Sequence, residues 1–144
     1  MSVVWQIERQ LTPTLQTSAT ARKLTAGWLS EVLDHTTEDT SRAVDEATLI
    51  VSELVTNAVQ AQPQELRLSL CVEPNDPSML TIAVADDAPG EPMLTAGPLT
   101  RTHGRGLLLV DALARRWGTK WGDQYKSVWA ELTIPAARPW PGTD

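Results

Sequence analysis

Residues 38–61 read EDTSRAVDEATLIVSELVTNAVQA, and this stretch decides the fold. Ala43, Ala47, Val51, Leu54 and Ala58 recur at spacings of three and four, which sets them on one apolar face of a helix. Glu46, Glu53, Asn57 and Gln60 form a separate polar stripe. Thr36 and Asp39 have the spacing of a capping box at the start, and Pro63 helps to end the helix.

Working outward, the downstream chain changes period from 3.6 to two. Leu66, Leu68, Leu70 and Val72 alternate with Arg67, Ser69 and Cys71, and Leu80, Ile82 and Val84 alternate with Thr81 and Ala83. Both runs read as half-buried strands, with Glu73 to Ser78 as the hairpin loop between them. Pro89, Gly90, Pro92, Gly97 and Pro98 then break any regular element, so Ala88 to His103 reads as a long loop. Gly104–Arg105–Gly106 leads into Leu107–Val110, the start of a further helix. Two strands follow, near Arg116–Gly122 and Lys126–Ile134, with Val128, Ala130, Leu132 and Ile134 on one face. Upstream, Ala21, Leu24, Trp28 and Val32 mark a helix over Ser18–Asp34, capped by Thr17 or Ser18. Met1–Leu11 holds an edge strand that Pro13 ends. The expected organisation is one domain over 1–134 and a proline-rich tail over 135–144 that frays.

Composition narrows the function. The 144 residues suit a single core, and 42% apolar with 21% charged is ordinary for a globular protein. No apolar run approaches the roughly 20 residues of a membrane span, and the first residues lack a secretion signal, so a cytoplasmic protein with no membrane contact is expected. A net charge of −6 argues against direct nucleic-acid binding, but not against a nucleotide held by backbone N–H groups and a cation. Cys71 is the only cysteine, which excludes an intramolecular disulfide, and no Cys/His cluster suggests zinc. There are six Trp and no Phe, and core packing is the expected role of Trp117, Trp121 and Trp129.

The residues able to do chemistry are few. Glu53 and Asn57, four apart on a helix, set a carboxylate beside an amide carbonyl, a pair able to hold a hard cation and orient a hydroxyl. On spacing alone, a solvated helix face is the plainer account, since polar pairs four apart are common. Asp86 closes an apolar strand, where a half-buried carboxylate can accept a hydrogen bond from an amino group; a turn-starting Asp is the plainer account. Asp87 is its rival, with a side chain expected to point the other way. Gly104 and Gly106 let backbone approach an anion near a helix N-terminus, or else serve as a hinge. His35 reads as a surface cap, His103 as a phosphate neighbour at most, and Cys71 as a packing residue. Walker A and dinucleotide-binding fingerprints are absent.

These signals stand in one order: Glu53–Leu54–Val55–Thr56–Asn57–Ala58, then Val84–Ala85–Asp86–Asp87–Ala88–Pro89–Gly90, then Gly104 to Asp111, then Lys126–Ser127–Val128–Trp129. From about Ser18 to Ile134 the chain resembles the GHKL (histidine-kinase-like) ATPase family, above all its anti-sigma-factor serine kinases and small bacterial regulatory relatives. The resemblance implies the Bergerat ATP-binding fold: an α/β two-layer sandwich with helices on one face of a mixed, mainly antiparallel sheet. It implies ATP and Mg²⁺ as ligands, with Asn57 on the metal, Asp86 on the adenine amine, and Gly104, Arg105 and Gly106 on the phosphates. It further implies Glu53 as the general base on a serine hydroxyl, Ser127 near the adenine, and Ala88–His103 as a lid. Of the two glycines in the family's Asp-x-Gly-x-Gly pattern only Gly90 is present after Asp86, since Ala88 replaces the other. Gln60–Ala61–Gln62 stand where close relatives often carry Arg-His-Ala.

Three functions follow as expectations. The first is a serine protein kinase that transfers the ATP γ-phosphate to an antagonist protein, with a sigma factor as a further partner. The second is a non-catalytic switch in which ATP orders the loop Ala88–His103. The third is an interaction module with a degenerate pocket that binds neither ATP nor ADP. The first strand and first helix are candidate elements of a homodimer interface.

Overall fold

The computed structural model describes residues 5–33, 37–89 and 103–141, with the backbone alone at 103–107. The elements run β1 (Gln6–Leu11), α1 (Thr17–Val32), α2 (Glu38–Gln60), β2 (Leu66–Glu73), β3 (Asp76–Asp86), α3 (His103–Leu113), β4 (Arg116–Trp121) and β5 (Lys126–Thr133).

Helix α2 forms where its periodicity places it, and Ala43, Ala47, Val51, Leu54 and Ala58 are buried together with Ile50 and Val55. Its N-cap is Thr37, whose hydroxyl accepts from the Thr40 N–H at 3.1 Å; Thr36, the expected cap, lies outside the described residues. Glu38 and Asp39 then occupy the first turn, where the helix dipole favours carboxylates. Helix α1 has no side-chain cap. The Thr17 hydroxyl donates instead to the Thr12 carbonyl, and the Ser18 hydroxyl lies 2.8 Å from that of Thr56, joining α1 to α2.

The five strands pair in the order β1-β2-β3-β5-β4, and every pair is antiparallel, so the sheet is not mixed. Alternation divides each inner strand. Leu66, Leu68, Leu70 and Val72 of β2, Leu80, Ile82 and Val84 of β3, and Val128, Ala130 and Leu132 of β5 are buried. Helix α2 packs on β2, β3 and β5, and α1 and α3 pack on α2, which gives an α/β sandwich of two layers. Each fully buried Leu or Ile of this core contributes about 1.5–3 kcal/mol relative to exposure.

Four details differ from the sequence expectation. The β2–β3 turn is shorter than Glu73–Ser78, because Asp76 already pairs with Glu73 across a register shift and accepts from the Ser78 N–H at 3.0 Å. Helix α3 opens at His103, so Gly104–Arg105–Gly106 lie in its first turn instead of before it. Of the tryptophans expected in the core, Trp121 is 57% exposed and Trp117 and Trp129 are half-buried; Trp5 and Trp28 are the buried ones. Trp129 alternates with buried Val128 and Ala130 and therefore faces away from the helices, over Gly118, where an added Cβ would come within 3.1 Å of its ring. Finally, residues 135–141 are docked instead of frayed. Ala137 bridges to Leu33, the Arg138 N–H donates to the Val32 carbonyl at 2.9 Å, and Trp5 Nε1 donates to the Arg138 carbonyl at 2.7 Å. Trp140 meets Trp5 edge-on at 4.8 Å. No helix of the described residues is long and apolar enough to cross a membrane.

Candidate functional site

Glu53 and Asn57 lie on the C-terminal half of α2, both half-buried. Asn57 donates through Nδ2 to the Glu53 backbone carbonyl at 2.9 Å. The amide's donor is thereby held against the helix, which fixes the direction of its oxygen, a group able to ligate a hard cation. No cluster of three or more His, Cys, Asp or Glu among the described residues could hold a metal by protein groups alone. An amide oxygen with one carboxylate nearby suits a Mg²⁺ that takes its other ligands from phosphates and water.

Asp86 ends β3 on the helix-facing side and is 3% exposed. Its cross-strand partners are Leu66 at the start of β2 and Lys126 at the start of β5. Lys126 Nζ donates to Asp86 Oδ1 at 2.7 Å and to the Ala88 carbonyl at 2.8 Å. The Ala88 N–H donates to the same Oδ1 at 2.9 Å. The motif that contains Lys126 assigns it no role of its own. The signal was its place in phase with Val128, Ala130 and Leu132, where a buried cation requires a partner.

Asp87 points the other way, as its neighbour's alternation requires. Its Oδ1 accepts from the backbone N–H groups of Gln64 at 2.8 Å and Glu65 at 3.0 Å. The Glu65 bond, the largest influence, and the Gln64 bond hold the Asp87 carboxyl below its ordinary value. These bonds tie the segment leaving α2 to the end of β3. Helix α2 stops at Gln60; Gln62 takes a φ of 59° and its N–H returns to the Val59 carbonyl at 2.9 Å. The segment leaving α2 and the end of β3 thus form one corner of the molecule. Tyr125 closes its rim: the hydroxyl donates to Glu65 at 3.1 Å, and the Arg67 guanidinium lies 5.8 Å from its ring.

The other candidates fall in different places. Gly104, Arg105 and Gly106 belong to the first turn of α3, whose backbone N–H groups have no intrahelical acceptor and suit an anion. Gly90 lies outside the described residues, as does the loop Ala88–His103 apart from its ends. Ser127 is not brought to Asp86. It pairs with Ala85 and Lys120 and alternates with buried Lys126 and Val128, so it faces the other side of the sheet. Cys71 is half-buried, and burial pushes its thiol up, away from nucleophilic character.

The family model for the histidine kinase-like ATPase domain matches residues 11–132, a span that contains every candidate residue. The chain belongs to the histidine kinase-like ATPase family. The RsbU and RsbW domains of Rv1364c from Mycobacterium tuberculosis are similar in structure, with 19% identity and a TM-score of 0.62 over 93% of this chain and 33% of that one. The Erythrobacter litoralis EL346 blue-light activated histidine kinase is similar with 20% identity and a TM-score of 0.54, over 78% of this chain and 40% of that one. This chain therefore spans well under half the length of either, and the likeness at such identities is one of fold. No curated protein matched the sequence.

As a histidine kinase-like ATPase domain, the chain has a fold that serves a nucleotide ligand. Its sandwich sets the acid–amide pair of α2, the buried carboxylate of β3 and the first turn of α3 on connected elements, since α2 packs against both β3 and α3. A base-directed acceptor, a cation ligand and phosphate-directed N–H groups are the chemical parts such a ligand needs.

Proposed function

We propose that this chain binds ATP with Mg²⁺ and transfers the γ-phosphate to a serine of an antagonist protein, as an anti-sigma-factor-type serine kinase. The observation that carries it is the Glu53–Asn57 pair, one turn apart on α2, the helix that packs on the strand ending in buried Asp86. Asn57 would hold Mg²⁺, Asp86 would accept from the adenine amine, and the first turn of α3 would meet the phosphates. Mg²⁺ supplies neutralisation of charge on the phosphate oxygens. The serine oxygen forms a bond to the γ-phosphorus, the bond to the bridging oxygen breaks, ADP leaves, and the hydroxyl proton passes to Glu53.

A second reading is supported by Ala88. It stands where the family pattern has glycine, is buried, and is engaged at both its N–H and its carbonyl. A non-catalytic switch, with ATP altering the loop after Ala88 and thereby a protein interface, needs no phosphotransfer.

Calorimetry of ATP and ADP with and without Mg²⁺, on the wild type and Asp86→Ala, tests what the two readings share. Binding that depends on Mg²⁺ and weakens in Asp86→Ala supports both; a folded wild type that binds neither nucleotide leaves the interaction module. Phosphate transfer from labelled ATP to an antagonist protein then separates kinase from switch.

A further inference from the structure

We propose that Lys126 is the residue that makes this site select an amino over an oxo group on the base: its ammonium is the counter-charge that lets Asp86 stand buried as a fixed carboxylate acceptor. The role rests on Asp86 as the base-directed residue proposed above, and it assigns a task to the first residue of the Lys126–Trp129 stretch, to which the resemblance gives none.

Asp86 and Lys126 are directly opposed across β3 and β5, both on the helix-facing side, and their side chains are 4% and 5% exposed. A carboxylate so deeply removed from water needs a partner charge, and Lys126 supplies it at 2.7 Å. The second Nζ bond, to the Ala88 carbonyl, and the Ala88 N–H bond to Asp86 close a ring of three hydrogen bonds. That ring fixes the rotation of the carboxylate and the direction of the turn after β3. All three involve Oδ1 or Ala88, and a carboxylate offers about four lone-pair sites over its two oxygens, so the acceptor capacity is not exhausted.

The chemistry of selection follows. An ionised carboxylate only accepts, so it pairs with the exocyclic N–H of a 6-aminopurine and repels the carbonyl oxygen of a 6-oxopurine. Without the ammonium, two of the three bonds of the ring are lost, the carboxylate is free to rotate, and no acceptor is held in one direction towards the base. Lys126 is thus a positioning residue: it acts on the base through Asp86.

The test is calorimetry of ATP and of inosine triphosphate, its 6-oxo analogue, with Mg²⁺, on the wild type, Lys126→Met and Lys126→Arg, each checked for folding by circular dichroism. The expected wild type prefers ATP by about tenfold or more. In Lys126→Met the ratio narrows to about threefold or less, and Lys126→Arg, which keeps the charge, retains the preference. Equal weakening of both nucleotides in folded Lys126→Met, with the ratio intact, overturns the proposal and marks the pair as structural. If Lys126→Met does not fold, Lys126→Arg decides: a retained preference supports the role, and a lost preference or an unfolded chain overturns it. A wild type that binds both nucleotides alike overturns the selectivity while leaving nucleotide binding; a wild type that binds neither overturns the proposed function itself.

Discussion

Asn57 donates its side-chain amide to the backbone carbonyl of Glu53, 2.9 Å away and one helical turn back. The residue proposed for Mg²⁺ is therefore oriented by the residue proposed as base, through the main chain of α2. Their contributions can nonetheless be separated, because one is a ligand and the other a proton acceptor.

Asn57→Ala should uncouple binding from stability. Alanine is the better helix former by several tenths of a kcal/mol, which offsets most of the roughly 1 kcal/mol of the lost hydrogen bond. The melting temperature should stay within a few degrees of the wild type, while Mg²⁺-dependent ATP affinity falls by about tenfold or more. Calorimetry beside a thermal melt checks both; unaltered affinity would remove Asn57 from the metal site.

Glu53→Gln keeps size and polarity but cannot take the serine proton at neutral pH. ATP affinity should change less than about threefold, and phosphotransfer to an antagonist protein should fall by about 10²–10⁴-fold. Transfer at the wild-type rate would exclude Glu53 as base.

Gln62 is the sole non-glycine residue of positive φ among the described residues, at 59°, just past the end of α2. A left-handed conformation costs a non-glycine residue roughly 1–2 kcal/mol, and glycine's extra unfolded-state entropy returns about 0.5–1 of that. Gln62→Gly should therefore stabilise the fold by about 0.5–1 kcal/mol, seen as a melting temperature higher by roughly 1–4 °C. A lower melting temperature would show that the Gln62 side chain makes a compensating contact.

Asp87 supplies a pH signature. Its folded carboxyl titrates below the ordinary 3.8, chiefly through the Glu65 N–H bond. A depressed carboxylate stabilises the fold fully above its unfolded value and loses that contribution as pH falls through the lower folded value. Asp87→Asn should thus be less stable than the wild type at neutral pH, with the gap shrinking as pH falls below 3.8. Denaturant titrations across that range measure it; a gap independent of pH would mean that the bonds to Gln64 and Glu65 do not depend on the charge.

The candidate site was partly legible in the chain. Glu53 and Asn57 could be placed together because helical spacing alone makes i and i+4 neighbours. Asp86 could be placed at a strand end because Leu80, Ile82 and Val84 set the phase. Ser127 and Lys126 show where this stops. The sequence resemblance pointed to Ser127, but the facing side of β5 is fixed by its pairing with β3, which sets Lys126 opposite Asp86. The tail misled for a similar reason: three prolines suggest fraying, yet Trp140 finds Trp5 from the far end of the chain.

The sequence by itself determined the alternation of strands and helices, the buried stripe of α2, and the order of the acid, amide, carboxylate and glycine signals. Periodicity and local spacing suffice for these, since they depend on residues within a turn or a strand of one another. Only the tertiary structure decided that β5 lies beside β3, that Asp87 ties β3 to the end of α2, and that a lysine 40 residues from Asp86 is buried against it. Pairings over such distances are selected by the burial of whole faces, a property of the packed sandwich that no local pattern encodes.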